Sequence, residues 1–343
     1  MESKNIVEKR AEVMIRDLIV IVTNRCNHKC AMCYYHNSIN QNINELTEIK
    51  FKRISSSLGK IEHLMISGGE PFLRKDLPSI CKIFTDNNPV RSLFIPTNGS
   101  NPEIITSSIS QILEMIPKIE LTIMLTLDGR QITHDLIHGK QGAFRSVLKT
   151  IEELNLLRFK LLKKKQFFSL CLNTVVTTQN IDEVLPLMDY VKKNTWVDFH
   201  TFSPMRGAGW NPDYQPPSGR SFEKLFHQAK PYFKFYACRS SFSKERKREV
   251  IKRINERYRL WIHLLNGGRL PFVCQAGNYI GVLEPDGGVR LCELKPIVGN
   301  VRDTQYDFSK VWFSEKANSI RKTIPNCACT HACFINASEK YLK

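Results

Sequence analysis

The sequence predicts an α/β protein built on a buried parallel sheet, and three observations carry that prediction. Short apolar runs alternate with amphipathic stretches over the first two thirds of the 343 residues. The runs are apolar on both faces, as in Leu18 to Val22, and glycine-bearing turns follow several of them. Strands covered by helices on both sides read as continuous apolar segments and not as strict alternation. Strands are predicted over 17–23, 61–67, 90–96, 119–127, 167–177 and 196–203. Helical patterns fall between them, near 46–58, 76–87, 102–116, 142–158 and 180–194. Six strands separated by five helices give repeated βα units, which an open doubly wound sheet or a partial barrel would both satisfy. In either case the loops at the carboxyl ends of the strands carry the chemistry.

The texture changes after Met205. Residues 206–220 are rich in Gly and Pro and read as a connection, and 220–266 read as helical. Beyond 270, the segments 278–283 and 288–291 flank Glu284-Pro285-Asp286-Gly287, a hairpin signal. A helical stretch near 307–323 precedes a closing CACTHAC. The chain therefore divides into 1–215, a basic helical linker at 216–270, and a C-terminal module at 271–343.

Composition is ordinary for a folded protein, with 42% apolar and 24% charged residues, and no apolar run is long enough to span a membrane. The first sixteen residues mix both charge signs and lack the apolar core of a secretory signal, so a cytoplasmic location is expected. Of the net charge of +17, residues 216–270 supply +10, from 14 Lys and Arg against 4 acids. Such a local excess suits an anionic substrate, a phosphate, RNA or a membrane surface. Uniform basicity would have favoured nonspecific nucleic-acid binding.

Eleven cysteines, an odd number, argue against a disulfide framework. Cys26, Cys30 and Cys33 lie on the loop after the first predicted strand. Three thiolates within eight residues can hold three corners of an iron–sulfur cube and leave the fourth iron open to a small molecule. Zinc is the rival, with His28 or His36 completing the set. Cys274, Cys292, Cys327, Cys329 and Cys333 form a second group around and beyond the hairpin. A zinc ribbon is the rival there.

Cys26-x3-Cys30-x2-Cys33 after the first strand of a βα series resembles the radical S-adenosylmethionine (SAM) enzymes, and further residues match in order. Ser67-Gly68-Gly69-Glu70-Pro71 resembles the GGE motif that holds the SAM amino group, with glycines allowing close backbone approach to a ligand. Thr97-Asn98-Gly99 follows the third strand. The LTLDG segment places Thr126 and Asp128 where the family holds SAM, and Thr126 stands for a serine that binds the SAM carboxylate. His138 stands where the family has an arginine for the same carboxylate, losing the bidentate fork. Asn173 falls on the fifth strand, near the family's SAM site. The spacing Cys274-x12-Gly287-x4-Cys292 is similar to the opening of SPASM and twitch modules. Five cysteines suit one auxiliary [4Fe–4S] cluster, with two of Cys327, Cys329 and Cys333 completing it.

The resemblance implies a partial (β/α)6 TIM-type barrel with a C-terminal hairpin-plus-helix auxiliary-cluster domain. It also implies a SAM-binding [4Fe–4S] cluster, reductive cleavage of SAM to a 5′-deoxyadenosyl radical, and a flavodoxin- or ferredoxin-type electron donor. The substrate expectation is an anionic sugar or nucleotide-like molecule, oxidised or isomerised with the auxiliary cluster as electron relay. A ribosomally made peptide or protein, RNA or lipid, and a non-catalytic electron carrier are the alternatives.

Overall fold

The structure is a computed structural model that describes residues 15–324 and 329–341. Six strands, β1 (Asp17–Ile21), β2 (His63–Ser67), β3 (Ser92–Thr97), β4 (Glu120–Thr126), β5 (Phe168–Val176) and β6 (Phe199–Pro204), pair in parallel and in chain order. Helices α1 (Glu48–Ser56), α2 (Leu77–Asn87), α3 (Pro102–Met115), α4 (Gln131–His138), α5 (Ala143–Leu162) and α6 (Val184–Asn194) fill the crossovers. The sheet continues on the other edge: β7 (Ile280–Leu283) runs parallel to β1, followed by antiparallel β8 (Gly288–Arg290) and β9 (Ile297–Asn300). The expected strands are all present, as is the hairpin.

Period-two alternation explains both faces of the sheet. Leu64 and Ile66, Leu93 and Ile95, Ile123 and Leu125, Leu170 and Leu172 are buried in the main core. Their neighbours Met65, Phe94, Met124, Thr126, Asn173, Thr201 and Ser203 line an interior cavity of about 1690 Å³. The strands therefore form the wall of a partial barrel, with β6 and β1 not paired to each other.

Two later helices close that gap. The basic segment folds as α7 (Gly219–Arg239) and α8 (Lys244–Leu265), and α11 (Ala332–Tyr341) ends the described chain, after short helices α9 (Phe308–Trp312) and α10 (Glu315–Arg321). Tyr258 on α8 donates its hydroxyl to the Phe202 carbonyl of β6 at 2.7 Å and accepts the Phe202 N–H. Tyr341 on α11 donates to Asp17 on β1 at 2.5 Å. An Arg257–Glu339 ion pair joins α8 to α11. An aromatic cluster of Phe202, Phe222, Phe226, Phe233, Tyr258 and Trp261 packs α7 and α8 against the barrel. Tyr258 stacks on Phe226 with ring centroids 4.8 Å apart.

Candidate active site at the carboxyl ends of the strands

The loop after β1 carries Cys26, Cys30 and Cys33, all partly exposed, and its shape is set by asparagines. Asn24 donates to the Ser38 and Gln41 carbonyls, each at 2.9 Å. Asn40, in the left-handed region at φ 57°, accepts the Cys26 N–H through its side chain and donates to the Cys26 carbonyl. The loop also pairs with the end of α4: Lys29 and Ala31 donate their N–H groups to the His138 and Ile137 carbonyls at 3.0 and 2.7 Å. This eight-residue helix, absent from the sequence expectation, thus holds the cysteine loop in place.

Gly68 and Gly69 are also needed for packing within the protein. A Cβ on Gly69 would lie 2.3 Å from the Arg25 carbonyl oxygen, and one on Gly68 would lie 2.7 Å from that of Thr23. The glycines let the loop after β2 pack on the backbone of the cysteine loop, and the Gly69 and Glu70 N–H groups donate to the Thr23 and Arg25 carbonyls at 2.8 Å. Glu70 is buried, and its carboxylate accepts from Thr97 Oγ1 at 2.8 Å, Asn98 N at 2.7 Å and Phe72 N at 3.2 Å. Burial pushes the carboxyl up to about 7, against the pull of these donors. Asn98 in turn donates to Asn27 at 3.0 Å, tying the loop after β3 to the cysteine loop.

Thr126, Asp128, His138 and Asn173 all reach the same cavity as the cysteines and Glu70. Asn173 donates to Ser203 Oγ at 3.1 Å. Asp128 accepts the Val175 N–H at 2.7 Å and pairs with His138 Nε2 at 2.8 Å. The other His138 nitrogen lies 3.4 Å from Cys30 Sγ and 3.1 Å from His28 Nδ1. Burial opposes protonation of His138, but Cys30 and Asp128 outweigh it and raise the imidazole to about 10. His134 stacks on His138, and its Nδ1 accepts the Asp128 N–H, so the proton sits on Nε2 and that nitrogen has no lone pair for a metal.

The three cysteine thiols fit a cluster with one open iron. Burial pushes Cys26 up to about 12 and Cys33 up to about 11, with the neighbouring Cys30 adding to both. The Cys26 and Cys33 thiols therefore hold their protons until metal displaces them. Among the described residues, Cys333 is the fourth cysteine that lines the cavity, from the start of α11.

A second polar centre joins the cysteine loop to the C-terminal module, and sequence reasoning assigned it no role. Tyr34 donates to Glu293 Oε1 at 2.7 Å, Arg206 pairs with Glu293 Oε2 at 3.1 Å, and His331 pairs with the same carboxylate. The Arg206 guanidinium also lies 4.4 Å from the Tyr34 ring centroid. Tyr35, the next residue, donates to Glu284 of the hairpin at 2.7 Å. Burial works against ionised Glu293, yet Arg206 and His331 prevail and hold its carboxyl at about 2. Glu293 adjoins Cys292, and His331 lies between Cys329 and Cys333. Cys274 and Cys292 are buried, Cys329 and Cys333 are half-buried, and Cys327 lies outside the described residues. Arg253, Arg257, Trp261, Phe272, Asn336 and Lys340 line the cavity from α8, α11 and the segment before β7.

A partial barrel with a three-cysteine loop after β1 and a glycine–glycine–glutamate loop after β2 defines a class, and comparison with known proteins agrees. Residues 20–191 match the profile of the Radical SAM superfamily, to which this chain belongs. Residues 274–334 match the SPASM iron–sulfur cluster-binding domain. The protein is thus a radical SAM enzyme whose cofactors are SAM, a SAM-binding [4Fe–4S] cluster and auxiliary iron–sulfur chemistry in the C-terminal module. Among curated relatives it is 28% identical over 210 residues to the AdoMet-dependent heme synthase of Methanosarcina barkeri, spanning 60% of this chain and 55% of that one. It is 30% identical over 181 residues to the GTP 3′,8-cyclase of Helicobacter pylori, spanning 50% and 51%. The chain spans about half the length of these relatives. SuiB of Streptococcus suis, solved with S-adenosylmethionine, shares the fold over 93% of this chain and 71% of its own, with a TM-score of 0.61 at 14% identity. SuiB has also been solved with its precursor peptide SuiA. Among the described residues, no helix is long and apolar enough to cross a membrane.

Proposed function

We propose that Cys26, Cys30 and Cys33 hold the [4Fe–4S] cluster that binds SAM, and that the enzyme acts on an anionic small molecule held in the barrel. The observation that carries this reading is convergence: the cysteine loop, Gly68-Gly69-Glu70, Thr97-Asn98, Thr126, Asp128, His138 and Asn173 all border one cavity. With cluster and SAM bound, the site supplies a 5′-deoxyadenosyl radical that removes a hydrogen atom from the substrate. The chain's own residues position and enclose. Glu70 locks the loops after β2 and β3 together, leaving their backbone groups and Asn98 facing the cavity beside Cys26. Thr126, Asn173 and Ser203 offer polar groups on the barrel wall for SAM, and Met32, packed with Ile137 and Met205, offers an apolar surface. His138, engaged by Asp128 and Cys30, is not a free fork for a carboxylate, so SAM recognition rests on the remaining polar groups.

Arg253 and Arg257, supplied by the basic helical segment and paired with Glu249 and Glu339, border the cavity with Lys340, and this basic lining supports an anionic substrate. The relatives' names fit that class, since GTP carries phosphates. The chain is read as a core over 1–215, a helical closure over 216–270 and an auxiliary module over 271–343. Cys274, Cys292 and two of Cys327, Cys329 and Cys333 would hold one auxiliary [4Fe–4S] cluster. There it would supply an electron acceptor for a net oxidation, and a flavodoxin- or ferredoxin-type protein would serve as the electron donor. The fold shared with SuiB favours a peptide substrate as the second reading. Anaerobically reconstituted protein with dithionite and SAM should yield 5′-deoxyadenosine and methionine. Failure of a fully iron-loaded sample to do so would overturn the reading. Tritiated small anions or a candidate peptide, assayed for label transfer into 5′-deoxyadenosine, would separate the two substrate classes.

A further inference from the structure

The end of the barrel opposite the cysteine loop carries an exposed aromatic and basic surface that the catalytic reading leaves unused. Phe159, Phe167 and Trp196 are 74%, 65% and 73% exposed, and Leu156, Leu162 and Phe242 are exposed beside them in the fold. Their placement follows from topology. Leu156, Phe159 and Leu162 occupy the last two turns of α5, and Phe167 precedes the first residue of β5. Trp196 precedes β6 on the neighbouring strand, and Phe242 lies between α7 and α8. Two contacts gather these pieces at one end. Arg239, closing α7, donates to the Val197 carbonyl and stands 5.3 Å from the Trp196 ring. Arg158 pairs with Asp198 at 2.6 Å and lies 5.8 Å from the Phe168 ring.

The charge around these side chains is one-sided. Residues 156–168 and 238–248 together hold ten Lys and Arg against the single carboxylate of Glu245. Lys160, Lys163, Lys164, Lys165, Lys244 and Arg248 are exposed. Between them, the last turn of α6 adds Lys192 and Lys193, of which Lys193 pairs with Asp189 at 2.7 Å.

We propose that this end of the barrel is a peripheral docking surface for an anionic lipid bilayer. Aromatic and leucine side chains on separate loops, each flanked by lysines, match a headgroup layer that takes apolar tips inward and cations at its surface. Exposed aromatic and leucine side chains gathered on the three connections α5–β5, α6–β6 and α7–α8 mark an interaction site, since surface apolar residues without one are scattered singly. A soluble electron donor fits poorly, because nine-residue β5 separates this end from the cysteine loop by roughly 25–30 Å. The attachment turns the cavity's cysteine-loop end toward water, so the lipid is a support and not the substrate.

Sedimentation of the full-length protein with vesicles tests this. The protein should pellet with phosphatidylcholine vesicles containing phosphatidylglycerol, far less with phosphatidylcholine alone, and less as salt rises. Phe159→Glu/Phe167→Glu/Trp196→Glu should weaken binding at least tenfold. Lys163→Glu/Lys164→Glu/Lys165→Glu, on an exposed turn, should do the same with an unchanged thermal midpoint. Anionic vesicles should shift Trp196 fluorescence to the blue, and Trp196→Phe should remove that shift. Failure to pellet with anionic vesicles, equal binding by both triple variants, or retention by an acidic protein or RNA in place of vesicles would overturn the proposal.

Discussion

Gly69→Ala tests how the cysteine loop is held. The added Cβ would lie 2.3 Å from the Arg25 carbonyl oxygen, 2.6 Å from its carbon and 2.9 Å from the Asn24 oxygen. These atoms belong to backbone, so no side chain can swing aside. Ordinary contact needs about 3.4 Å, so one loop must retreat by about 1 Å. That movement would stretch the Gly69–Thr23 and Glu70–Arg25 hydrogen bonds from 2.8 Å to beyond bonding range. Two backbone hydrogen bonds at about 1 kcal/mol each, with about 1–3 kcal/mol of overpacking, give a cost of about 3–5 kcal/mol. The loss falls on the loop that carries Cys26. Chemical denaturation of the metal-free protein should report the destabilisation, and iron analysis after reconstitution should show depleted loading. Wild-type stability together with full loading would refute the idea that loop-to-loop backbone contact requires this glycine.

Glu70→Gln places an amide donor against at least one of three donors, Thr97 Oγ1, Asn98 N and Phe72 N. It should cost about 1–3 kcal/mol in denaturation experiments. Wild type should also lose stability as pH rises from about 4.5 through about 7, because burial raises the Glu70 carboxyl in the folded state. The variant should lack that component. Glu293 has the opposite sign: its folded carboxyl is held at about 2, so its stabilisation is present above about 4.5 and fades as pH falls toward 2. Glu293→Gln should therefore be destabilised near neutrality and show a flatter acid limb, read from denaturation midpoints at each pH. Asn173→Ala should raise the Kd for SAM about tenfold in equilibrium dialysis of reconstituted protein, the loss of about one good hydrogen bond.

The strands were legible because their core-facing positions are apolar throughout, as in Leu64 and Ile66 or Leu170 and Leu172, and because β1, buried between β2 and β7, is apolar on both faces from Leu18 to Val22. The motifs at their carboxyl ends were legible because they are local, with spacing that survives in a single sequence. Helix α4 was missed: QITHDLIH is short, and its buried faces include His134 and His138, which do not register as apolar. The basic segment read as a linker, yet α7 and α8 bury an aromatic cluster against β6 and carry charge on their outer faces. The Glu293 centre was invisible because Tyr34, Arg206 and His331 lie far from it in the chain and meet only through the fold. The glycines of the GGE loop were found, but their packing on the cysteine loop was not. Nothing in a sequence says that Gly69 faces the backbone of Arg25.

The most direct test of the account is iron content of the anaerobically reconstituted protein beside its Cys26→Ala/Cys30→Ala/Cys33→Ala variant. About eight irons per chain in wild type, falling to about four in the variant, is the predicted result for one SAM-binding and one auxiliary [4Fe–4S] cluster. Iron content unchanged by loss of the three cysteines would contradict the assignment of the cluster to that loop.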